Sequence, residues 1–188
     1  AFSQIVESLE SAGYCIYTET VNARCVTAQS RNRLYFVGIR ADQPGSFCFP
    51  FVPDLKLRAD DAFETEEDLA GLAEQYTLTD NQLESLQKSK QWARRGGLTQ
   101  TMAWGDKVCE TIVSHYAASI SRGDSQLVPR CPPYNPRRFT PRECARLMGF
   151  PDSFSLPDQP PLEVQKPNLW FRPLYRMLGN AVVPPMVA

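Results

Sequence analysis

Apolar positions recur at helical spacing near the start of the chain, where Ile5, Val6, Leu9 and Ala12 form one stripe between Ser3, a candidate N-cap, and Gly13, a candidate stop. The pattern predicts a helix over residues 3–12. Residues 14–21 are rich in β-branched and aromatic side chains, and residues 34–39 form a compact apolar run bounded by Arg33 and Arg40, so both are expected as strands. From Gln43 to Pro53, three prolines and a glycine interrupt any period, and residues 54–68 carry seven acids, which predicts a solvated connector or helix face. Thr79 and Gln82 form a capping-box pattern ahead of Leu83 and Leu86, predicting a helix from Asp80 to about Arg95 that Gly96 and Gly97 close. Residues 110–116 are expected as a strand, and residues 129–136, half of them proline, as an extended linker. The strongest local signal is Thr140-Pro141-Arg142-Glu143, in which Thr140 caps a helix, Pro141 fits its first position and Glu143 reaches back to the cap. Leu147 and Met148 should face the core and Gly149 should end that helix, while residues 181–188 read as the start of another.

With 188 residues, 43% of them hydrophobic, the chain can bury a core. Lys plus Arg number 20 against 21 Asp plus Glu, which excludes a uniformly basic protein and leaves local basic faces as the place to look for polyanion contacts. The longest apolar stretches, 34–39 and 181–188, fall far below the roughly 20 residues of a membrane-spanning helix, so no membrane partner is expected. The first ten residues lack a basic start followed by an apolar run, so no secretion signal is expected and a reducing compartment follows: the cytoplasm in a bacterium, the nucleus in a eukaryote. Six cysteines without a Cys-x-x-Cys pair, and His115 as the single histidine, predict no metal and no disulfide framework. His115, beside Tyr116, is expected to be a surface or packing residue rather than a catalyst.

Three separated segments resemble, in order, blocks of one family. Gln29-Ser30-Arg31-Asn32-Arg33, running into the apolar stretch 34–39, resembles the Gln-x-Arg-x-Arg segment of cytosine-5 methyltransferases. Residues 138–151, Arg-Phe-Thr-Pro-Arg-Glu-Cys-Ala-Arg-Leu-Met-Gly-Phe-Pro, resemble the capped helix after their target-recognition region. Residues 175–185, Tyr-Arg-Met-Leu-Gly-Asn-Ala-Val-Val-Pro-Pro, resemble their last block, beside the S-adenosyl-L-methionine site. The chain departs from the pattern at Cys25-Val26-Thr27-Ala28, where the family usually has Phe-Gly-Val-Pro. The family's cofactor loop (Phe-x-Gly-x-Gly), nucleophile segment (Pro-Cys-Gln) and acid segment (Glu-Asn-Val) come before these blocks and do not occur here. Motif order therefore implies the C-terminal half of a longer enzyme, with the N-terminal half of the same enzyme as its first partner. The implied fold class is α/β, the C-terminal part of a Rossmann-like S-adenosylmethionine-dependent methyltransferase domain plus a small irregular target-recognition domain. Residues 1–53 would hold later strands of the catalytic domain, 54–136 the recognition region with linkers, and 137–188 the return to the catalytic domain.

Residue roles follow from the same resemblance. Arg33 would contact O2 of an extruded cytosine, and Arg31, expected on the opposite side of the segment, would support the catalytic loop or a phosphate. Asn180 and the backbone of Ala181 and Val182 would border the cofactor, with Pro184 and Pro185 opening a helix whose N-terminus suits its carboxylate; many relatives have serine where Ala181 stands. Arg138, Thr140, Arg142 and Glu143 are expected to be structural. Lys88, Lys90, Arg94, Arg95 and Lys107 surround Trp92, Gly96-Gly97 and Trp104, an arrangement suited to phosphate contacts, the alternative being a solvated face over core tryptophans. Thr111-Ile112 resembles the family's Thr-Leu pair, which would set Thr111 near a phosphate of the flipped nucleotide. The implied parent is a DNA (cytosine-5) methyltransferase of restriction-modification type acting on double-stranded DNA. In that chemistry an enzyme thiolate adds to C6, C5 takes the methyl group and the C5 proton is eliminated, on a cytosine flipped out of the stack. An RNA cytosine-5 methyltransferase on the same scaffold, or a non-catalytic nucleic-acid-binding relative, remain the alternatives.

Overall fold

The computed structural model of the chain describes residues 2–94, 96–97, 103, 105–116, 126–157 and 167–187. α1 (Phe2–Ser11) carries the predicted stripe and stops before Gly13, whose N–H donates to the Glu10 carbonyl at 2.9 Å. β1 (Tyr14–Asn22) and β2 (Asn32–Arg40) pair antiparallel in unbroken register from Tyr14 opposite Arg40 to Asn22 opposite Asn32. Both strands outrun their apolar cores, because the ladder of main-chain bonds also accommodates the polar Asn22 and Asn32. Alternation splits the side chains between two faces. Phe36 meets the Phe2 ring of α1 at 5.8 Å, while Tyr17, on the other face, meets Phe47 at 5.9 Å.

One core draws on all three regions of the chain. It joins Ala28 from the turn before β2, Ala59, Tyr76 and Ile112 from the middle of the chain, and Phe139, Cys144, Leu147 and Phe171 from the last third. The acidic stretch is accordingly more than a solvated connector: a 3₁₀ turn at Ala59–Ala62 turns Asp60 and Asp61 outward and buries both alanines. α2 (Ala73–Tyr76) follows and buries Tyr76, whose ring stacks on Phe171 at 5.1 Å. Tyr116 is a second clasp, because its hydroxyl donates to the Gln126 carbonyl at 2.8 Å and accepts from the Phe139 N–H at 2.9 Å.

The structure corrects several expected elements. The helix over 80–95 is two helices, α3 (Asp80–Gln87) with its Thr79–Gln82 capping box and α4 (Lys90–Arg94). Ser89 causes the break: its hydroxyl oxygen accepts from the Trp92 N–H at 3.1 Å and so starts a new helix. Residues 110–116 form no strand. Their buried side chains, Ile112 and Tyr116, lie four apart rather than two, and the isolated parallel bridge of Cys109 with Gln29 falls just before the segment. Among the described residues 181–187, the one regular element is a 3₁₀ turn at Pro184–Met186.

α5 (Pro141–Leu147) has the predicted capping box in full. Glu143 is also half of a bidentate, fully buried ion pair with Arg137, at 2.7 and 2.8 Å. Gly149 leaves α5 with φ +80°, and a side chain there would crowd Pro185 of the last block. α6 (Pro167–Asn180) is unexpected. Its apolar face, Phe171, Leu174, Tyr175 and Leu178, has helical spacing, but Pro167 and Pro173 mask the pattern in the sequence.

Near its end, Gly179 lies directly against the main chain of Val113 and Ser114, where any Cβ would overlap backbone atoms. Gly179→Ala should therefore destabilise the protein by about 1–3 kcal/mol, the usual scale of overpacking, because main-chain obstacles cannot rotate aside. Urea unfolding of the two proteins measures this, and an unchanged midpoint would mean that α6 does not press on residues 113–114.

Candidate active site

The base of the β1–β2 pair is built by one side chain. Asn22 Oδ1 accepts from the N–H groups of Arg24 and Arg31 at 2.9 and 3.1 Å, and its Nδ2 donates to Ser30 Oγ at 3.1 Å. The connection from 23 to 31 is thereby closed on itself, and β2 leaves it in a fixed direction. Sequence reasoning missed Asn22, although an asparagine ahead of a tight turn is a cap signal.

Arg31 and Arg33 do diverge, but not through strand alternation, which sets residues two apart on the same face. β2 begins at Asn32, so Arg31 belongs to the irregular turn before it. Its guanidinium points inward: Nη1 donates to the Ile112 carbonyl at 3.0 Å, and Nη2 donates to the carbonyls of Gly179 and Ala181 at 3.0 and 2.9 Å. Burial, and then the neighbouring Arg33 charge, pushes the Arg31 guanidinium below its ordinary pKa. Arg33 is exposed, donates to its neighbour's carbonyl at Asn32, and has no acidic partner among the described residues.

Gln29, which sequence reasoning quoted only as a motif letter, is fully buried. Its Oε1 accepts from the Ile112 N–H at 3.2 Å and its Nε2 donates to the Leu147 carbonyl at 3.1 Å. Thr111 is half-buried beside it, its hydroxyl donating to the Ser30 carbonyl at 2.8 Å. The three blocks singled out in the sequence thus converge: the turn before β2 touches residues 109–112, the end of α5 and the end of α6.

On the cofactor side, one expectation changes. Asn180 ends α6 and does not precede a helix N-terminus. The 3₁₀ turn that follows opens on Pro184 and Pro185, which have no N–H to offer, so the anion-binding argument from free helix amides does not apply there. The Ala181 N–H is already bonded to the Leu178 carbonyl at 3.1 Å. What remains for a ligand is the exposed side chain of Asn180, the N–H of Val182, which has no acceptor among the described residues, and the exposed Val182 side chain. One carboxamide, one free amide and an apolar face fit the mixed polar and apolar character of S-adenosylmethionine.

In the expected basic cluster, Lys88 and Lys90 are exposed and Lys88 pairs with Glu84. Trp92 is partly buried and packs against the cluster of Leu78, Leu86 and Leu127. Arg95, Trp104 and the side chain of Arg94 lie outside the described residues. Arg138, Thr140 and Glu143 are buried in structural roles, whereas Arg137, the ion-pair partner of Glu143, had not been picked out. Among the described residues no cluster of potential metal ligands occurs, and no helix is long and apolar enough to cross a membrane.

The family model for C-5 cytosine-specific DNA methylases matches residues 1–188. The chain belongs to this family. Similar curated methylases include the Type II methyltransferase M.NlaX of Neisseria lactamica, 31% identical over 97% of this chain and 53% of that protein. M.Bsp6I of a Bacillus strain is 29% identical over 99% and 56%, and M.DsaV of Dactylococcopsis salina 32% identical over 95% and 47%. The chain therefore spans about half the length of the curated relatives it matches. Among solved structures, the S. pombe Dnmt2 methyltransferase superposes with a TM-score of 0.66 at 20% identity, covering 99% of this chain and 58% of that one. That likeness establishes the α/β methyltransferase fold.

Proposed function

We propose that the full-length protein carrying this chain transfers a methyl group from S-adenosyl-L-methionine to C5 of a cytosine flipped out of double-stranded DNA. The observation that carries the reading is Arg33: a guanidinium without an acidic partner among the described residues, exposed at the rigid start of β2 in the family's Gln-x-Arg-x-Arg position. Fixed there, it can donate to O2 of the base as negative charge develops in the ring after nucleophilic attack. The names of the curated relatives, all Type II methyltransferases, favour DNA methylation over the RNA and non-catalytic alternatives.

The thiolate and the acid acting at N3 would come from the N-terminal half of the enzyme. This chain's buried cysteines are unsuited to attack, since burial pushes the Cys109 thiol up to about 12 and the Cys144 thiol well above its usual range. When bound, the cofactor supplies an electrophilic methyl group. Asn180 and Val182 would hold it, Thr111 would meet a phosphate of the flipped nucleotide, and Lys88, Lys90, Arg94 and Arg95 would meet phosphates further along the duplex. The full-length protein, incubated with methyl-labelled cofactor and duplex DNA, should form labelled 5-methylcytosine. Label appearing in RNA and not in duplex DNA would favour the RNA enzyme, and DNA binding without transfer to either would leave the non-catalytic relative.

A further inference from the structure

Each residue of the Gln29–Arg31 turn grips the segment 109–112. Gln29 Oε1 takes the Ile112 N–H at 3.2 Å and Arg31 Nη1 gives to the Ile112 carbonyl at 3.0 Å, so this residue is held on both sides. Between them, the Ser30 N–H donates to the Cys109 carbonyl at 2.7 Å and the Ser30 carbonyl accepts from Thr111 Oγ1 at 2.8 Å. The two outer side chains each have a second hold: Gln29 on the Leu147 carbonyl at the end of α5, and Arg31 on Gly179 and Ala181 at the end of α6. Gln29, Arg31 and Ile112 are all at most 3% exposed, so water cannot replace a bond that is lost. A displacement of Ile112 is therefore passed to residues 179–181 rather than absorbed by solvent.

One bond of this clamp would compete with DNA. A threonine hydroxyl has a single proton to donate, and that of Thr111 goes to the Ser30 carbonyl. A DNA phosphate oxygen meeting Thr111 would draw that proton away and free the carbonyl between the two clamping side chains.

We propose that Gln29 and Arg31 are positioning residues that couple DNA engagement at Thr111 to cofactor binding at residues 180–182, through the main chain of Ile112, Gly179 and Ala181. The inference rests on the methyltransferase reading above. Neither residue touches substrate; each holds in place segments that do. Because one guanidinium orders both segments, the ligand that binds first lowers the ordering cost of the second, and the coupling is positive and reciprocal.

The test measures the affinity of full-length protein for S-adenosylhomocysteine by calorimetry, with and without duplex DNA. DNA should tighten binding by about fivefold or more in the wild type, the low end of typical coupling between sites. In Arg31→Lys, which keeps the charge and loses the fork that spans three carbonyls, that factor should fall to within about twofold, and the cofactor analogue alone should bind more weakly because residues 179 and 181 lose their shared anchor. Gln29→Met, close in shape but without either bond, should lower the factor in the same direction and decides the question alone if Arg31→Lys does not fold. A wild type that binds both ligands without coupling overturns the inference and leaves the methyltransferase reading standing. So do variants that keep the full coupling factor, or that lose single-ligand affinity with the factor unchanged. A wild type that binds neither ligand overturns the methyltransferase reading itself, and this inference with it.

Discussion

On the methyl-transfer reading proposed above, Arg33→Ala in the full-length protein should cut the rate of transfer by about a hundredfold, the scale of removing one donor from a developing negative charge, while changing DNA affinity far less. The structure fixes the main chain from which Arg33 projects. β2 starts one residue earlier, its pairing begins at Asn22 opposite Asn32, and the turn below is closed by the three bonds of the Asn22 side chain. A fixed main-chain origin limits the rearrangement needed to bring the guanidinium to a base, so the loss should fall on the chemical step. Arg33→Lys should recover little, because an ammonium lacks the planar fork. Single-turnover transfer measured beside equilibrium DNA binding separates the cases. If affinity falls and the chemical step stays intact, Arg33 is a phosphate contact and leaves the catalytic list.

Glu143→Ala should cost about 3–5 kcal/mol of stability, the scale of breaking a buried ion pair from one side. The carboxylate takes both terminal nitrogens of Arg137, the Glu64 N–H at 2.8 Å and the Thr140 N–H at 2.8 Å. Removing it leaves a guanidinium 2% exposed without its bidentate partner and takes away the return half of the α5 capping box. Adding Arg137→Met should restore part of the loss, since the stranded charge goes while two main-chain N–H groups stay unpaired. Urea unfolding of the single and double variants gives both numbers. A single-variant loss below about 1 kcal/mol would be the behaviour of a surface pair and would contradict the burial.

The sequence by itself determined the elements whose causes are local. α1, β1, β2 and α5 appear where period, capping box and flanking glycines foretell them, because those signals act within a turn or one strand pitch. The same holds for the three family blocks, and for Arg33 as the first cation of β2. Where local signals conflict, the reading failed: two prolines hid the four-residue spacing of α6, Ser89 split one expected helix in two, and adjacent prolines emptied the supposed helix N-terminus after Val183 of its donors. Only the tertiary structure decided what Arg31 does. Its partners at Ile112, Gly179 and Ala181 lie 81, 148 and 150 positions away along the chain, and no periodicity reports contacts at that range. Nor could pattern show that Gln29 and Arg137 are buried. A polar residue in a turn looks solvated until the core of α5, α6 and residues 109–116 closes over it, and only then must each N–H and carbonyl find a partner inside the protein.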